Sequence, residues 1–498
     1  MDDSKNLSAA LQEARRFEAE RSAAIRPEDR PGFHLSPRVG WMNDPNGFSW
    51  YNGQYHLFYQ YHPYDSHWGP MHWGHAVSPD LLHWTHLPAA LAPDQPCDCG
   101  GCFSGTAITL ADGRQVLMYT GVSAPMPEQG GKRLQTQNLA FGDGRDYVKF
   151  PHNPVISAAE LPEGASIEDF RDPKLWQTAD GTFRCLAASR DETGSGQILL
   201  FESADLFHWR FVGKTAQNRG RMGVMWECPD LFRLDGQDVL LISAQDMLPE
   251  GFEYHNGDMA FCLLGDFDAE SGQFREAANQ ALDYGIDFYA PQTILTPDGR
   301  RVMIGWLMNW DTCNQHYRNY PWFGQMSLPR ELFVRGGRLC QRPIRELEQL
   351  RADRFVYENV AVGAEPVRLP GVDGRQLDLE LEVRPAEGGY QRFAVWFAQD
   401  GQFHTGVSFR PHESVLKVDR KFSGSRRAII HQRRAKVGHE NGRIRLRLIL
   451  DRFSAEVFVN DGEKAMSLAV DTPISADGVS FFADGAVRLN VRSSHLTK

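Results

Sequence analysis

Apolar positions in the first thirty residues recur at helical intervals. Leu7, Leu11, Ala14, Phe17 and Ala24 stand among Glu and Arg, and Pro27 ends the pattern. The spacing predicts one amphipathic helix docked on a larger body. From Phe33 to about Pro329 the texture changes to short runs rich in aromatics and Val, cut by Gly, Pro, Asn and Asp, which predicts strands with little helix between them. After Pro329, Ile344, Leu347 and Leu350 predict a short connector helix over 344–354. Strict alternation then returns at 377–383, 407–410, 444–450 and 455–459, the signature of strands with one wet face in an antiparallel β-sandwich. The expected division is a helical extension over 1–30, an all-β domain over 31–335, a linker helix over 336–355 and a β-sandwich over 356–498.

An internal repeat sharpens the larger domain. Asn52-Gly53, Asp112-Gly113, Asp180-Gly181, Asp235-Gly236 and Asp298-Gly299 are hairpin-type turns, each leading into an apolar run, and their glycines are 60, 68, 55 and 63 residues apart. Ser78-Pro-Asp-Leu-Leu-His-Trp84 is echoed by Ser203-Ala-Asp-Leu-Phe-His-Trp209. Units of this length hold the four strands of a propeller blade with their loops, so five units predict a five-bladed β-propeller.

Composition narrows the partners. Lys+Arg number 53 against 64 Asp+Glu, a net charge of −11, which leaves no diffuse positive field for nucleic acid or an anionic membrane. No apolar run approaches the roughly 18 to 20 residues of a membrane span, and the charged stretch Glu13–Arg21 stands where a signal peptide would need an apolar core. The expectation is a cytoplasmic protein acting on a small neutral ligand. Eight cysteines in 498 residues are too few for a disulfide framework.

The acidic residues align on the turns. Asp44, Asp172 and Glu227 each lie nine residues before the turn glycine of their unit, on what is predicted to be a blade's innermost strand. Three carboxylates are thereby expected in one central funnel. Ser104 and Ala290 occupy the same offset in the other two units, beside Phe103 and Tyr289. The pattern around Pro45, Pro173 and Pro229 instead matches Glu227 with Arg171, so the shared register calls for a one-residue bulge near Glu227. Convergent carboxylates push their pKa values apart, the arrangement that glycosidic cleavage requires: an acid for the leaving oxygen and a nucleophile or base for the anomeric carbon. Trp41, Asn43, Gln60, Trp68, Trp73, Phe103, Arg171 and Trp306 offer aromatic faces and fixed hydrogen-bonding groups suited to a sugar. Six histidines between His62 and His86, and Cys97-Asp-Cys99-Gly-Gly-Cys102, raise a metal reading. The histidines lack a His-Glu-x-x-His pattern and the thiols a second Cys-x-x-Cys pair, so no metal is expected; Cys97 and Cys99 have no assigned role.

Trp41-Met-Asn-Asp-Pro-Asn-Gly47, Phe103-Ser-Gly-Thr, Phe170-Arg-Asp-Pro173, Trp226-Glu-Cys-Pro229 and Tyr289-Ala-Pro-Gln together resemble glycoside hydrolase family 32, the β-fructofuranosidases that include invertases, sucrose-6-phosphate hydrolases and fructan hydrolases. The resemblance implies a five-bladed propeller followed by a β-sandwich, and a retaining enzyme that needs no cofactor. Carried over by motif, it implies Asp44 as nucleophile, Glu227 as general acid/base and Asp172 as transition-state stabiliser. Asn43, Gln60, Trp68, Phe103, Ser104, Arg171, Tyr289 and Trp306 are the expected sugar contacts. Thr106 stands where many relatives place a second Ser. Sucrose, sucrose 6-phosphate and short fructans all fit as substrates, with transfructosylation and a catalytically silent sugar-binding propeller as the rival functions; the sequence leaves the oligomeric state open.

Overall fold

The structure is a computed structural model that describes residues 7–127, 130–313, 320–424 and 430–497. Helix α1 (Ala9–Ser22) begins where the Ser8 hydroxyl caps the Leu11 N–H at 3.1 Å. It buries Leu11 and Ala14 and, unexpectedly, Glu18, whose carboxylate accepts the Ala89 N–H at 2.9 Å. Burial raises the Glu18 pKa, opposed by that hydrogen bond and by Arg38.

Five sheets follow. Blade one holds β1 (Gly40–Tyr51), β2 (Gln54–His62), β3 (His72–Ser78) and β4 (Thr85–Leu91). Blade two holds β5 (Gly101–Thr109), β6 (Gln115–Val122), β7 (Gln135–Gly142) and β8 (Tyr147–Lys149). Blade three holds β9 (Arg171–Gln177), β10 (Phe183–Arg190), β11 (Gly196–Ser203) and β12 (Arg210–Gln217). Blade four holds β13 (Trp226–Leu234), β14 (Gln237–Met247), β15 (Gly257–Asp268) and β16 (Gln273–Ala281). Blade five starts with β17 (Tyr289–Leu295) and β18 (Arg301–Trp306); β19 (Trp322–Phe323) crosses to pair in parallel with β1, and β20 (Arg330–Arg335) and β21 (Arg338–Pro343) complete the blade. The inner strands β1, β5, β9, β13 and β17 touch in ring order, and β17 returns to β1. All five sequence turns join the first and second strands of a blade. Asn52-Gly53 and Asp235-Gly236 have positive φ at both positions (47° and 78°; 49° and 87°), the two-residue hairpin geometry that matches strand twist.

The expected boundary at 335 falls inside the β20–β21 hairpin, so the propeller extends to Pro343. The expected connector helix is a six-residue 3-10 helix, Arg345–Leu350, burying Leu347 and Leu350. It ends there because Arg351 already pairs with Leu496 in the next sheet, its guanidinium held by Asp378 and Glu380.

The second domain contains β22 (Arg351–Val362), β23 (Leu377–Gln399), β24 (His404–Arg410), β25 (Val415–Phe422), β26 (Gln432–Lys436), β27 (Ile444–Asp451), β28 (Ser454–Val459), β29 (Lys464–Ala469) and β30 (Gly478–Leu496). Ladder hydrogen bonds join all nine into one curled sheet. The long strands β23 and β30 run side by side through both halves: the first half of β23 pairs with β27, the second with β24. They turn the corner where the register slips between Pro385 and Tyr390, at Gly388, Gly389 and Gly485, all with positive φ. The inward side chains Leu379, Leu381, Phe393, Val395, Val407, Phe409 and Leu448 form the core between the halves. A buried polar seam fastens the domains: Arg330 bonds to Asp283 and Glu456, Arg420 to Asp287, and His34 to Asp451 and Glu456. Among the described residues no helix is long and apolar enough to cross a membrane.

Candidate active site

A shared irregularity builds the site. In β13, Glu227 pairs with Ser243 but Asp230 with Leu241, so three residues span what two span on the partner strand. The same slip occurs between Arg171 and Lys174 in β9, Tyr289 and Gln292 in β17, Met42 and Pro45 in β1, and Phe103 and Gly105 in β5. Asp172, Cys228 and Ala290, each just before a proline, have φ of 62°, 49° and 49°. The bulge breaks strand alternation and aims two consecutive side chains at the axis. Glu227 is therefore the counterpart of Arg171 and Tyr289, while Asp172 matches Cys228, Ala290 and Ser104. The nine-residue count to Gly236 arises because the β13–β14 hairpin is tighter, with two connecting residues against five in β9–β10, not because blade four has an extra bulge.

The three carboxylates meet in the funnel in unequal surroundings. The Cys228 Sγ lies 3.6 Å from Asp172 Oδ2 and 4.0 Å from Asp44 Oδ2, so one thiol touches both. Asp44 Oδ2 accepts from Ser104 Oγ at 3.1 Å, while Oδ1 is buried without a hydrogen-bond partner. Asp172 Oδ2 accepts the Cys228 N–H at 3.0 Å, and the Asp172 N–H donates to Thr120 Oγ1 at 2.9 Å. Glu227 has three donors: Arg171 Nε at 2.9 Å on Oε1, and Tyr289 Oη at 2.7 Å and Gln245 Nε2 at 3.0 Å on Oε2. Arg171 also reaches Asp169 and Gln135.

Enclosure by protein raises Asp44 to about 6, with Glu227 adding to the shift and the Asn43 amide and Ser104 opposing it. Asp172 is raised by burial and then by Glu227, and Arg171 pulls it back. Asp258, at the start of β15, is pushed up to about 7 by burial and by Asp311, Glu227 and Asp246. Carboxyls held in such different environments can divide the roles of proton donor and ionised nucleophile.

The expected sugar contacts fall into three groups. Asn43, Ser104, Arg171 and Tyr289 are brought onto the carboxylates, with Asn43 oriented by the Trp41 Nε1 donating to its Oδ1 at 2.7 Å. Phe103 and Trp68 form one wall, their rings edge to face at 6.1 Å with Trp68 47% exposed, and Gln60 bonds to the Cys102 carbonyl at 3.2 Å behind them. Trp306, paired with Tyr289, packs on Trp310 at 4.9 Å, and its Nε1 is buried without a partner. Trp73 is core: fully buried, it donates to the Phe103 carbonyl. Among the described residues no group of three or more His, Cys, Asp or Glu side chains is placed to hold a metal.

Sequence reading missed Gln245, Thr120 and Asp258, which lie on second or third strands and reach the funnel only through blade closure. Cys228 could have been found, because it precedes Pro229 as Asp172 precedes Pro173.

Comparison with known proteins agrees along the whole chain. Residues 34–343 match the N-terminal domain of glycosyl hydrolases family 32, and residues 346–497 its C-terminal domain. A raffinose invertase of Escherichia coli is 38% identical over 464 residues, 91% of this chain and 92% of that protein. A sucrose-6-phosphate hydrolase of Escherichia coli is 36% identical over 92% of each. A GH32 β-fructofuranosidase of Bombyx mori superposes with a TM-score of 0.85 at 34% identity, covering 100% of this chain and 99% of that one. A variant of that enzyme, solved in complex with sucrose, gives a TM-score of 0.83.

Proposed function

The chain belongs to glycoside hydrolase family 32 and is a β-fructofuranosidase-like glycosidase, and from that premise we propose that it releases the terminal non-reducing β-D-fructofuranosyl residue of unphosphorylated sucrose by double displacement. The observation that carries this reading is the unequal pair Asp44 and Glu227 in one funnel, with Asp44 Oδ1 left without a partner and Glu227 held by three donors. Asp44 attacks the anomeric C2, the bond from C2 to the glucosyl oxygen breaks, and Glu227 gives that oxygen a proton. Glu227 then takes a proton from water, which attacks C2, releases fructose and frees Asp44. Asp172, fixed by the Cys228 and Thr120 contacts, accepts from ring hydroxyls more strongly as oxocarbenium character develops.

Charge supports an unphosphorylated aglycone. Asp258 lies within electrostatic reach of Glu227, and Asp246 and Asp311 lie within reach of Asp258. Arg171 is engaged by Glu227 and Asp169, and Lys174 by Asp230, so among the described residues these two cations are already neutralised. A phosphate there would meet like charge. The test compares kcat/KM for sucrose and sucrose 6-phosphate and identifies the methanolysis product. Sucrose preferred and a methyl β-fructoside are expected; a hundredfold preference for the phosphate overturns the substrate, and a methyl α-fructoside overturns the double displacement.

A further inference from the structure

The solvent face of the second domain departs from the alternation that built it. Along β23, β24, β25 and β30 the inward positions are apolar, as a core requires, and the outward positions of such a sheet are ordinarily polar. Here a row of rings crosses four strands on the outward side. Trp396 stacks on His404 at 4.6 Å and 29°, meets Phe482 edge-on at 4.6 Å, and His404 continues to Phe422 at 5.1 Å. Phe422 is 52% exposed. Burial lowers the His404 pKa, which keeps the row uncharged near neutrality.

Beside the rings lies a depression of about 150 Å³. Its floor is made of small residues: Gly406 pairs with Trp396, and Ala394 pairs with Ser408. A Cβ at Gly406 would stand 3.2 Å from Trp396 Cδ1, so glycine lets the indole lie over the neighbouring strand. The rim carries charges that cancel in pairs, Lys417 with Asp419 at 2.8 Å and Arg392 with Asp484 at 3.1 Å. The space equals that of about five waters, so it seats one face of a sugar ring and leaves the rest in solvent. Two cations also lie over the rings, Arg392 at 5.1 Å from the Phe482 centroid and Lys421 at 5.5 Å from that of Phe422. Ring faces for C–H surfaces with fixed donors and acceptors around them fit a polyhydroxylated ligand, not a greasy chain.

We propose that this depression is a second carbohydrate site, which holds one ring of a fructose-containing oligosaccharide against Trp396 and Phe422 and keeps substrate on the enzyme outside the funnel. The choice of fructosides rests on the function proposed above. A second copy of the chain is the other occupant that exposed rings admit.

The test is calorimetric titration with 1-kestotriose of a protein carrying Asp44→Asn, so that the ligand persists, alone and combined with Trp396→Ala or Phe422→Ala. Two sites are expected in the first protein and one with Trp396→Ala. Because Phe422 is exposed, Phe422→Ala leaves the fold intact and should weaken the second site about fivefold. A single site in the first protein, or two unchanged sites in both combined variants, overturns the proposal. So does a dimer in sedimentation that Phe422→Ala dissociates while sugar binding is unaffected. Sucrose hydrolysis by the protein without Asp44→Asn is read separately: its absence would refute the function proposed for the funnel and leave the second site to be judged by its own titration.

Discussion

Arg171 Nε donates to Glu227 Oε1 at 2.9 Å, joining blade three to blade four across the funnel, although its chain neighbour is Asp172. The bulge makes Arg171 and Glu227 counterparts in adjacent blades, so the guanidinium reaches sideways and not along its own strand. Arg171→Gln leaves Glu227 with its two neutral donors, while Asp169 keeps its pairing with Arg190. The expected result is a loss of about a hundredfold in kcat for sucrose, about 2.7 kcal/mol of barrier, with KM moving less. An unchanged kcat with only KM raised would reduce Arg171 to a structural tie.

Asp44 gives a pH dependence and a stability effect of opposite value to the enzyme. A nucleophile must be ionised, so kcat/KM rises with pH through about 6, the value at which Asp44 titrates in the folded protein. Its folded pKa lies above the ordinary value of 3.8, so the ionised side chain costs stability above about pH 6, and the cost disappears as pH falls below 3.8. The difference is about 3 kcal/mol at pH 7. Asp44→Asn should therefore abolish hydrolysis and raise Tm at pH 7, a gain that shrinks towards pH 4. A lower Tm at pH 7 would show that the carboxylate is better satisfied than its open Oδ1 implies.

Glu227 is tested through the leaving group. Glucose departs from sucrose poorly without a proton, and a nitrophenolate departs without one. Glu227→Ala should lose about a thousandfold or more on sucrose while fructosylation by an activated aryl fructoside survives. Azide, which needs no base, should restore aryl-substrate turnover and yield fructosyl azide of retained configuration. Equal losses on both substrates with no azide product would remove Glu227 from the acid/base role.

His34 carries a prediction about the domain junction. Its Nδ1 lies 2.8 Å from Asp451 Oδ2 and its Nε2 2.9 Å from Glu456 Oε1, in a fully buried site. Burial works against its charge, yet the two carboxylates outweigh it and raise His34 to about 9 from 6.5. The folded value exceeds the unfolded one, so this stabilisation is complete below about pH 6.5 and is lost as pH rises through 9. Tm should fall across that interval, and His34→Leu should flatten the fall. At pH 6 the variant should lose about 3 kcal/mol, because Asp451 keeps only backbone N–H donors and Glu456 loses one of its two cations, keeping Arg330. Parallel pH curves for the two proteins would mean that His34 is neutral.

The sequence alone carried the repeat, because each hairpin is decided locally: a glycine with positive φ between apolar runs specifies the turn wherever it occurs, as at Gly53 and Gly236. It carried the inner-strand placement of Asp44, Asp172 and Glu227 for the same reason. It left the register of Glu227 open, since a count from the turn cannot separate a bulge from a shorter hairpin. The connector helix stops at Leu350, short of the expected 354, because Arg351 is claimed by a strand partner 145 residues away, at Leu496. Tertiary structure alone decided that Arg171 serves Glu227, that Gln245 and Tyr289 share its second oxygen, and that His34 and Glu18 are buried with their charges answered. Apart from Gln245, which shares blade four with Glu227, those partners lie on different blades or domains or on the N-terminal helix. Their meeting depends on how the ring closes and how the two domains dock, and no local pattern of hydrophobic and polar residues encodes a distance between side chains that only closure brings together.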